Sequence, residues 1–291
     1  IIFNNGLPNL ENQNGIYSSK GLLTSNGFLF KYSNNFLFIS IEPTIINHSD
    51  YLKVKSNHSG PFKFSNSQPI KIKNKKLRNT GAMLKFRNHK LGFGNWNQWW
   101  GPGIHNSLIM SNNSDGIPAY FFGTSSTRPI FGGLKYSFNY FMSDYLINGT
   151  RSEYFISAYN FVVNYRNIEF GKSKLILSGG YEEISWDFQD ALYVIANNKN
   201  MKYWDQINQY YISTLFPKTG LKVFIELGFI YNPFAQEKNN FYKNHTMATN
   251  IGFRKYGLFD NTNLMLGMEY TRLAQGPYYD KVPTPNWYDN I

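Results

Sequence analysis

The chain has 291 residues, no cysteine, a formal net charge of +11 and an aromatic content of 18%, with 22 Tyr and 25 Phe. The lack of cysteine excludes disulfide frameworks, thiolate metal sites and cysteine nucleophiles. No window holds the ~20 consecutive apolar residues that a membrane-spanning helix needs, so any bilayer crossing would have to be made by the strands of a barrel. A mean hydropathy of −0.42 beside so many aromatics fits an outer-membrane barrel with a polar lumen and aromatic girdles. It fits a soluble β-sandwich with an aromatic core equally well, and composition leaves both open.

The elements, in chain order, begin after a polar N-terminal segment at residues 1–25. Gly27–Tyr32 and Phe36–Ile41 read as strands joined by a turn at Ser33-Asn34-Asn35. A long loop is expected at 47–80. Much of the positive charge falls in and just after it, on Lys71, Lys73, Lys75, Lys76, Arg78, Lys85, Arg87 and Lys90. Such a run suits lipopolysaccharide phosphates or an acidic polysaccharide; a solvated loop or lumen surface is the plainer reading. No nucleic-acid recognition module is present, so nucleic acid is not an expected partner. A hairpin follows at Ala82–Arg87 and Leu91–Gly94.

Residues 96–113 carry the densest signal. Trp96, Trp99 and Trp100 precede Gly101-Pro102-Gly103, and then come His105, Ser107, Ser111, Asn112 and Asn113. Pro102 fixes its φ, and the flanking glycines can adopt dihedrals closed to other residues. The expected result is a rigid corner that sets indole surfaces beside hydroxyls and amides, the chemistry of a sugar-binding surface. The competing reading is structural: Trp sits readily at a core corner or an interface girdle, and Ser and Asn often cap nearby backbone.

Further strands are expected at Ala119–Phe122, Leu134–Phe141, Tyr154–Tyr165, Leu175–Tyr181 and Gln206–Phe216. Long loops are expected at 101–118, 182–204 and 232–244, with a short helix within 182–204. The clearest alternation is in Leu221–Phe229: Leu221, Val223, Ile225, Leu227 and Phe229 share one face, and Lys222, Phe224, Glu226 and Gly228 the other. Residues 245–254 and 264–271 follow the same rule, with Asn250, Arg254 and Glu269 at polar positions. Oily-out with polar-in is the barrel pattern and the reverse is the sandwich pattern; small residues Gly228, Gly252 and Gly267 on the polar face favour a packed lumen. Lys222, Glu226, Arg254 and Glu269 are then candidates for a lumen charge network. About a dozen strands, with tight turns alternating with long loops and with no linker or repeat, predict one domain over 1–291, an antiparallel β-barrel.

Catalytic signals are weak. Glu182, Glu183, Asp187 and Asp190 cluster in one expected loop, but nothing sets the carboxylate spacing a glycosidase needs. His48, His58, His89, His105 and His245 show no metal-ligand spacing, and no nucleophile elbow, P-loop or zinc-protease motif occurs. The residues give no positive evidence for an enzyme, and no cofactor or metal is expected.

The stretch Trp99-Trp100-Gly101-Pro102-Gly103, followed by Ser107-Leu108-Ile109-Met110-Ser111-Asn112-Asn113, resembles the most recognisable motif of the Wzi-like capsule assembly proteins of bacterial outer membranes. Gly116-Ile117-Pro118, Gly123-Thr124 and Pro129-Ile130 extend it, and weaker echoes stand at Asp205-Gln206, Phe216–Gly220, Gly252-Phe253-Arg254 and Met268-Glu269-Tyr270. The resemblance implies an all-β transmembrane barrel, complete at about eighteen strands, that binds surface polysaccharide in the outer membrane, with lipid, lipopolysaccharide and other outer-membrane proteins as neighbours. Family members usually carry an N-terminal helical region and continue beyond an ending like Pro285–Asn290, so the last strands are expected to lie beyond this sequence. Two other functions remain open: an accessory barrel of a larger secretion, uptake or motility complex, and a soluble β-sandwich enzyme acting on glycans.

Overall fold

Alternation makes the strands, and the burial of their polar positions decides which way the sheet faces. The computed structural model describes residues 2–4, 21–48, 75–111, 116–145, 154–179, 205–229, 247–259 and 261–273. They form β1 (Ile2–Asn4), β2 (Gly21–Gly27), β3 (Phe30–Ser33), β4 (Leu37–His48), β5 (Lys75–Phe86), β6 (His89–Gly94), β7 (Ala119–Thr124), β8 (Arg128–Pro129) and β9 (Leu134–Tyr145). β10 (Tyr154–Tyr165), β11 (Ile168–Gly179), β12 (Asp205–Phe216), β13 (Leu221–Phe229), β14 (Met247–Leu258) and β15 (Asn261–Leu273) follow. Among the described residues no helix is long and apolar enough to cross a membrane.

The chain divides into two compact units, Ile1–Gln98 with Asn112–Tyr120 and Trp99–Ser111 with Phe121–Ile291. In the first, strands run in the order β1-β2-β4-β5-β6, with β3 also on β4. These pairings are antiparallel. In the second, β9 to β15 follow one another as an antiparallel meander. Short turns join β3–β4, β5–β6, β10–β11, β12–β13 and β14–β15. The Asn34 side chain closes the first of them, its Oδ1 accepting from the amides of Phe36 (2.9 Å) and Leu37 (2.7 Å).

Polar residues point inward. Gln209, Glu226 and Asn250 are fully buried, while Ile212, Ile251, Met268 and Tyr270 on the opposite parity keep 47%, 46%, 63% and 61% of their surface. Water would penalise so much exposed apolar surface, and a soluble protein rarely carries it; hydrocarbon does not penalise it. This is the membrane-barrel sense of the alternation, and it rules out the sandwich alternative.

Element boundaries differ from expectation in instructive places. The segment 1–25 contributes β1 and much of β2 to the sheet. Gly27–Tyr32 is interrupted at Phe28-Leu29, which splits β2 from β3. The long loop expected to 80 ends earlier, because β5 begins at Lys75. Lys75, Lys76, Arg78, Lys85 and Lys90 therefore lie on strands, with Arg87 in their turn. There Arg78 lies 4.0 Å from Glu42, and Lys85 donates to Ser33 Oγ at 2.7 Å. Lys71, Lys73, the acidic group at 182–190 and the helix expected within 182–204 lie outside the described residues.

Lys or Arg on the outward face should be costly, by about 2–4 kcal/mol at the bilayer midplane and less towards the rims. Ile251→Lys is therefore expected to reduce the folded, compact band on unheated gels of membrane extracts, while Ser213→Lys at a buried inward site disrupts packing instead. An Ile251→Lys protein with unchanged folding would contradict a lipid-facing β14.

Candidate functional site

The second unit contains a segment with no regular structure of its own, Trp99–Ser111, packed among buried polar residues. Every backbone amide so placed needs a partner, and two carboxylates supply acceptors. Glu226 Oε1 accepts from the Gly103 amide at 2.8 Å, and Glu226 also bonds the Leu108 amide. Glu269 accepts from three successive amides, those of Ile104 (2.5 Å), His105 (3.1 Å) and Asn106 (2.9 Å). An ionised carboxylate has several lone-pair sites and can serve all these donors at once.

Strand register places the remaining partners. Tyr211 pairs with Glu226, Glu226 with Asn250 and Asn250 with Thr271 across neighbouring strands. Gln209 Nε2 donates to Glu226 (3.0 Å) and to the Trp100 carbonyl (2.9 Å). Arg254 Nη2 donates to the carbonyls of Pro102 (2.9 Å) and Gly103 (3.0 Å). Asn250 Nδ2 reaches the Asn106 carbonyl and Glu269, both at 3.2 Å, and Asn106 Nδ2 donates to Thr271 Oγ1 at 3.0 Å. Glu226, Arg254 and Glu269 are thus drawn together through the backbone of the segment. Lys222 shares their face and is the register partner of Arg254.

The Gly-Pro-Gly turn is what lets the backbone come this close. Gly101 holds φ at +147°, where a side chain is strained, and a Cβ there would stand 2.7 Å from Glu226 Oε1. A Cβ on Gly103 would overlap the Asn106 carbonyl. Pro102 between them is buried and has no N–H to satisfy. Opposite, Gly267 leaves room for Ile104, whose Cδ1 lies 2.8 Å from where a Cβ would be.

The tryptophans are held by the protein itself. Trp100 is 3% exposed, and its ring centroid lies 5.6 Å from that of Phe141. Trp99, half-buried, donates its indole N–H to the Gly103 carbonyl at 3.2 Å. Trp96 belongs to the first unit, donates to Ser40 Oγ at 2.7 Å and lies against Gly81 and Gly94, where any Cβ would come within 2.7 Å of its ring. The open aromatic platform expected from the sequence is absent for Trp100, whose burial leaves no free face for a sugar ring.

The other candidates divide similarly. The Ser107 hydroxyl donates to the Trp100 carbonyl at 2.6 Å. Ser111 is half-buried, and His105 alone among the described candidates has an exposed side chain. Asn112 and Asn113 lie outside the described residues. Gln209, Asn106 and Thr271 were not anticipated. The only sequence signal for Gln209 was its parity in an alternating strand, and no local pattern told which distant backbone it would meet. Among the described residues no group of three or more His, Asp or Glu is placed to hold a metal ion.

Comparison with known proteins fits this geometry to a family. The family described as capsule assembly protein Wzi matches residues 5–290. A solved structure with a TM-score of 0.58 and 13% identity covers 81% of this chain, and the chain covers 48% of that one. Its description reads Wzi, an outer-membrane protein involved in group 1 capsule assembly in Escherichia coli and a carbohydrate-binding β-barrel. The chain thus spans about half the length of that structure. Among curated proteins, none matches. The shared fold is the antiparallel outer-membrane β-barrel.

Removing Glu226 should leave buried donors unmatched, at about 1–3 kcal/mol for each orphaned group. Glu226→Ala is expected to lower the temperature at which the compact gel band is lost, and Glu226→Gln, which keeps an acceptor oxygen, should lower it less. Gly101→Ala should also lower it, through both strain and overlap. Equal behaviour of Glu226→Ala and the parent protein would contradict the anchoring role.

Proposed function

The chain belongs to the Wzi capsule assembly protein family, and on that premise we propose that it is a non-enzymatic barrel domain of the outer membrane that binds capsular polysaccharide and supports capsule assembly. The observation that carries the reading is the family match over residues 5–290. The net charge of +11 suits an acidic polymer. The site supports a binding role over a hydrolytic one. Glu226 and Glu269 are both committed to backbone amides, so neither is free to move a proton for glycoside cleavage.

Within this reading the Trp99–Ser111 segment has an internal task. It fills the polar inner face of the second unit and keeps its shape, while polysaccharide meets the protein at exposed positions such as His105. Lipopolysaccharide and other outer-membrane proteins are its neighbours in the membrane. The motif then matters to function because it fixes the barrel's interior, and its tryptophans act as anchors.

The test is binding of capsular polysaccharide from the source bacterium to the protein in detergent, with neutral dextran as control. Saturable binding that weakens with salt, absent for dextran, is the expected result. Equal responses to both polymers, or none to either, would count against the proposal. His105→Ala is expected to stay folded and bind less, whereas Gly101→Ala should reduce the folded fraction while leaving binding per folded molecule intact.

A further inference from the structure

Two hairpins, one in each unit, share an unusual design. The β5–β6 turn reads Phe86-Arg87-Asn88-His89, and the β10–β11 turn reads Tyr165-Arg166-Asn167-Ile168. Both are two-residue connections whose first central residue is left-handed, with φ +49° at Arg87 and +52° at Arg166. Hairpins of this length favour Asn, Asp or Gly there, and a long side chain at positive φ is uncommon. An unfavourable choice made twice, each time between an aromatic residue and Asn, points to a use for the arginine.

The turn lays each guanidinium over the preceding ring. Arg87 Cζ lies 5.4 Å from the Phe86 ring centroid, and Arg166 Cζ lies 5.2 Å from that of Tyr165. The rings are themselves exposed, Phe86 at 70% and Tyr165 at 40%. Among the described residues neither guanidinium is bonded to a carboxylate. Each hairpin tip therefore offers a flat cation, oriented by an aromatic ring, whose N–H edge meets no carboxylate among the described residues. A planar, weakly hydrated guanidinium of this kind matches a phosphate diester by paired hydrogen bonds, and an aromatic ring beneath it suits the boundary between acyl chains and headgroups.

We propose that each of these two hairpins clamps the phosphate of an anionic phospholipid in the leaflet reached by the short turns, the ring seated at the acyl boundary and the arginine on the headgroup. By the usual arrangement of outer-membrane barrels, short turns face the periplasm, where the leaflet is phospholipid. The inference rests on the barrel fold and is independent of the polysaccharide reading. The β14–β15 turn supplies an internal control. Phe259 there has φ +51° and is 93% exposed, so that turn keeps the strained position and the aromatic without the cation.

The test uses the double variant Arg87→Asn, Arg166→Asn, because asparagine suits the left-handed turn and keeps the hairpins. In phospholipid-free detergent its heat-unfolding midpoint should equal or exceed that of the parent. In nanodiscs, replacing about a third of the phosphatidylcholine by phosphatidylglycerol should raise the parent's midpoint by about 3 °C and leave the double variant unmoved. Phe259→Asn should keep the parent's gain, and Arg87→Lys, Arg166→Lys should keep only part of it, since the stacked fork is lost. Inorganic phosphate alone should shift nothing. A phosphatidylglycerol gain shared equally by parent and double variant would overturn the proposal. So would a gain produced by lipopolysaccharide and not by phosphatidylglycerol, or one reproduced by free phosphate.

Discussion

An irregular backbone buried inside a membrane barrel must find acceptors for its amides, and here two glutamates provide them. Glu226 and Glu269 between them take the amides of Gly103, Ile104, His105, Asn106 and Leu108. Arg254, on the strand between them, donates to carbonyls of the same turn. The two carboxylates and the guanidinium are thus linked through the segment's own backbone, and the segment becomes part of the interior. Remove the carboxylates and the amides of the Gly-Pro-Gly corner and of the residues after it lose their acceptors.

That constraint orders the rest of the second unit. The inward parity of β12 to β15 carries Gln209, Glu226, Asn250, Arg254 and Glu269, and Ile212, Ile251, Met268 and Tyr270 stand on the opposite parity. The outward aliphatic and aromatic surface follows from the inward network, and lipid is the environment that tolerates it. Membership of the Wzi family gives the arrangement a setting in the outer membrane, and under the proposed function the barrel presents its exposed polar positions to polysaccharide. Rigidity matters for such a partner, since a preorganised surface loses less freedom on binding.

Some of this was legible in the sequence and some was not. β10 and β13 match expectation to the residue, Tyr154–Tyr165 and Leu221–Phe229, because neither has its oily parity broken for long. The first half of β11 was hidden by Gly171-Lys172-Ser173-Lys174, and Gly171 is there because a Cβ would run into the Tyr211 ring. The start of β5 was hidden because Lys75 to Thr80 reads as a polar loop when taken alone. The position of the tryptophan motif was plain, and its direction was not. An aromatic cluster with hydroxyls looks the same whether it meets a sugar or its own core. The deciding contact, Gly103 with Glu226, spans 123 residues, and no local pattern encodes it. Lys222, Glu226, Arg254 and Glu269 could be chosen from parity alone, but the backbone they face could not.

The most direct test is amide hydrogen exchange on the membrane-embedded protein, followed at Gly103, Ile104, Asn106 and Leu108. If the two glutamates hold the segment inside the barrel, these amides exchange as slowly as those of β12 to β14 and lose protection together when Glu226 or Glu269 is replaced by alanine. Exchange at the rate of an exposed loop in the unaltered protein would contradict the account.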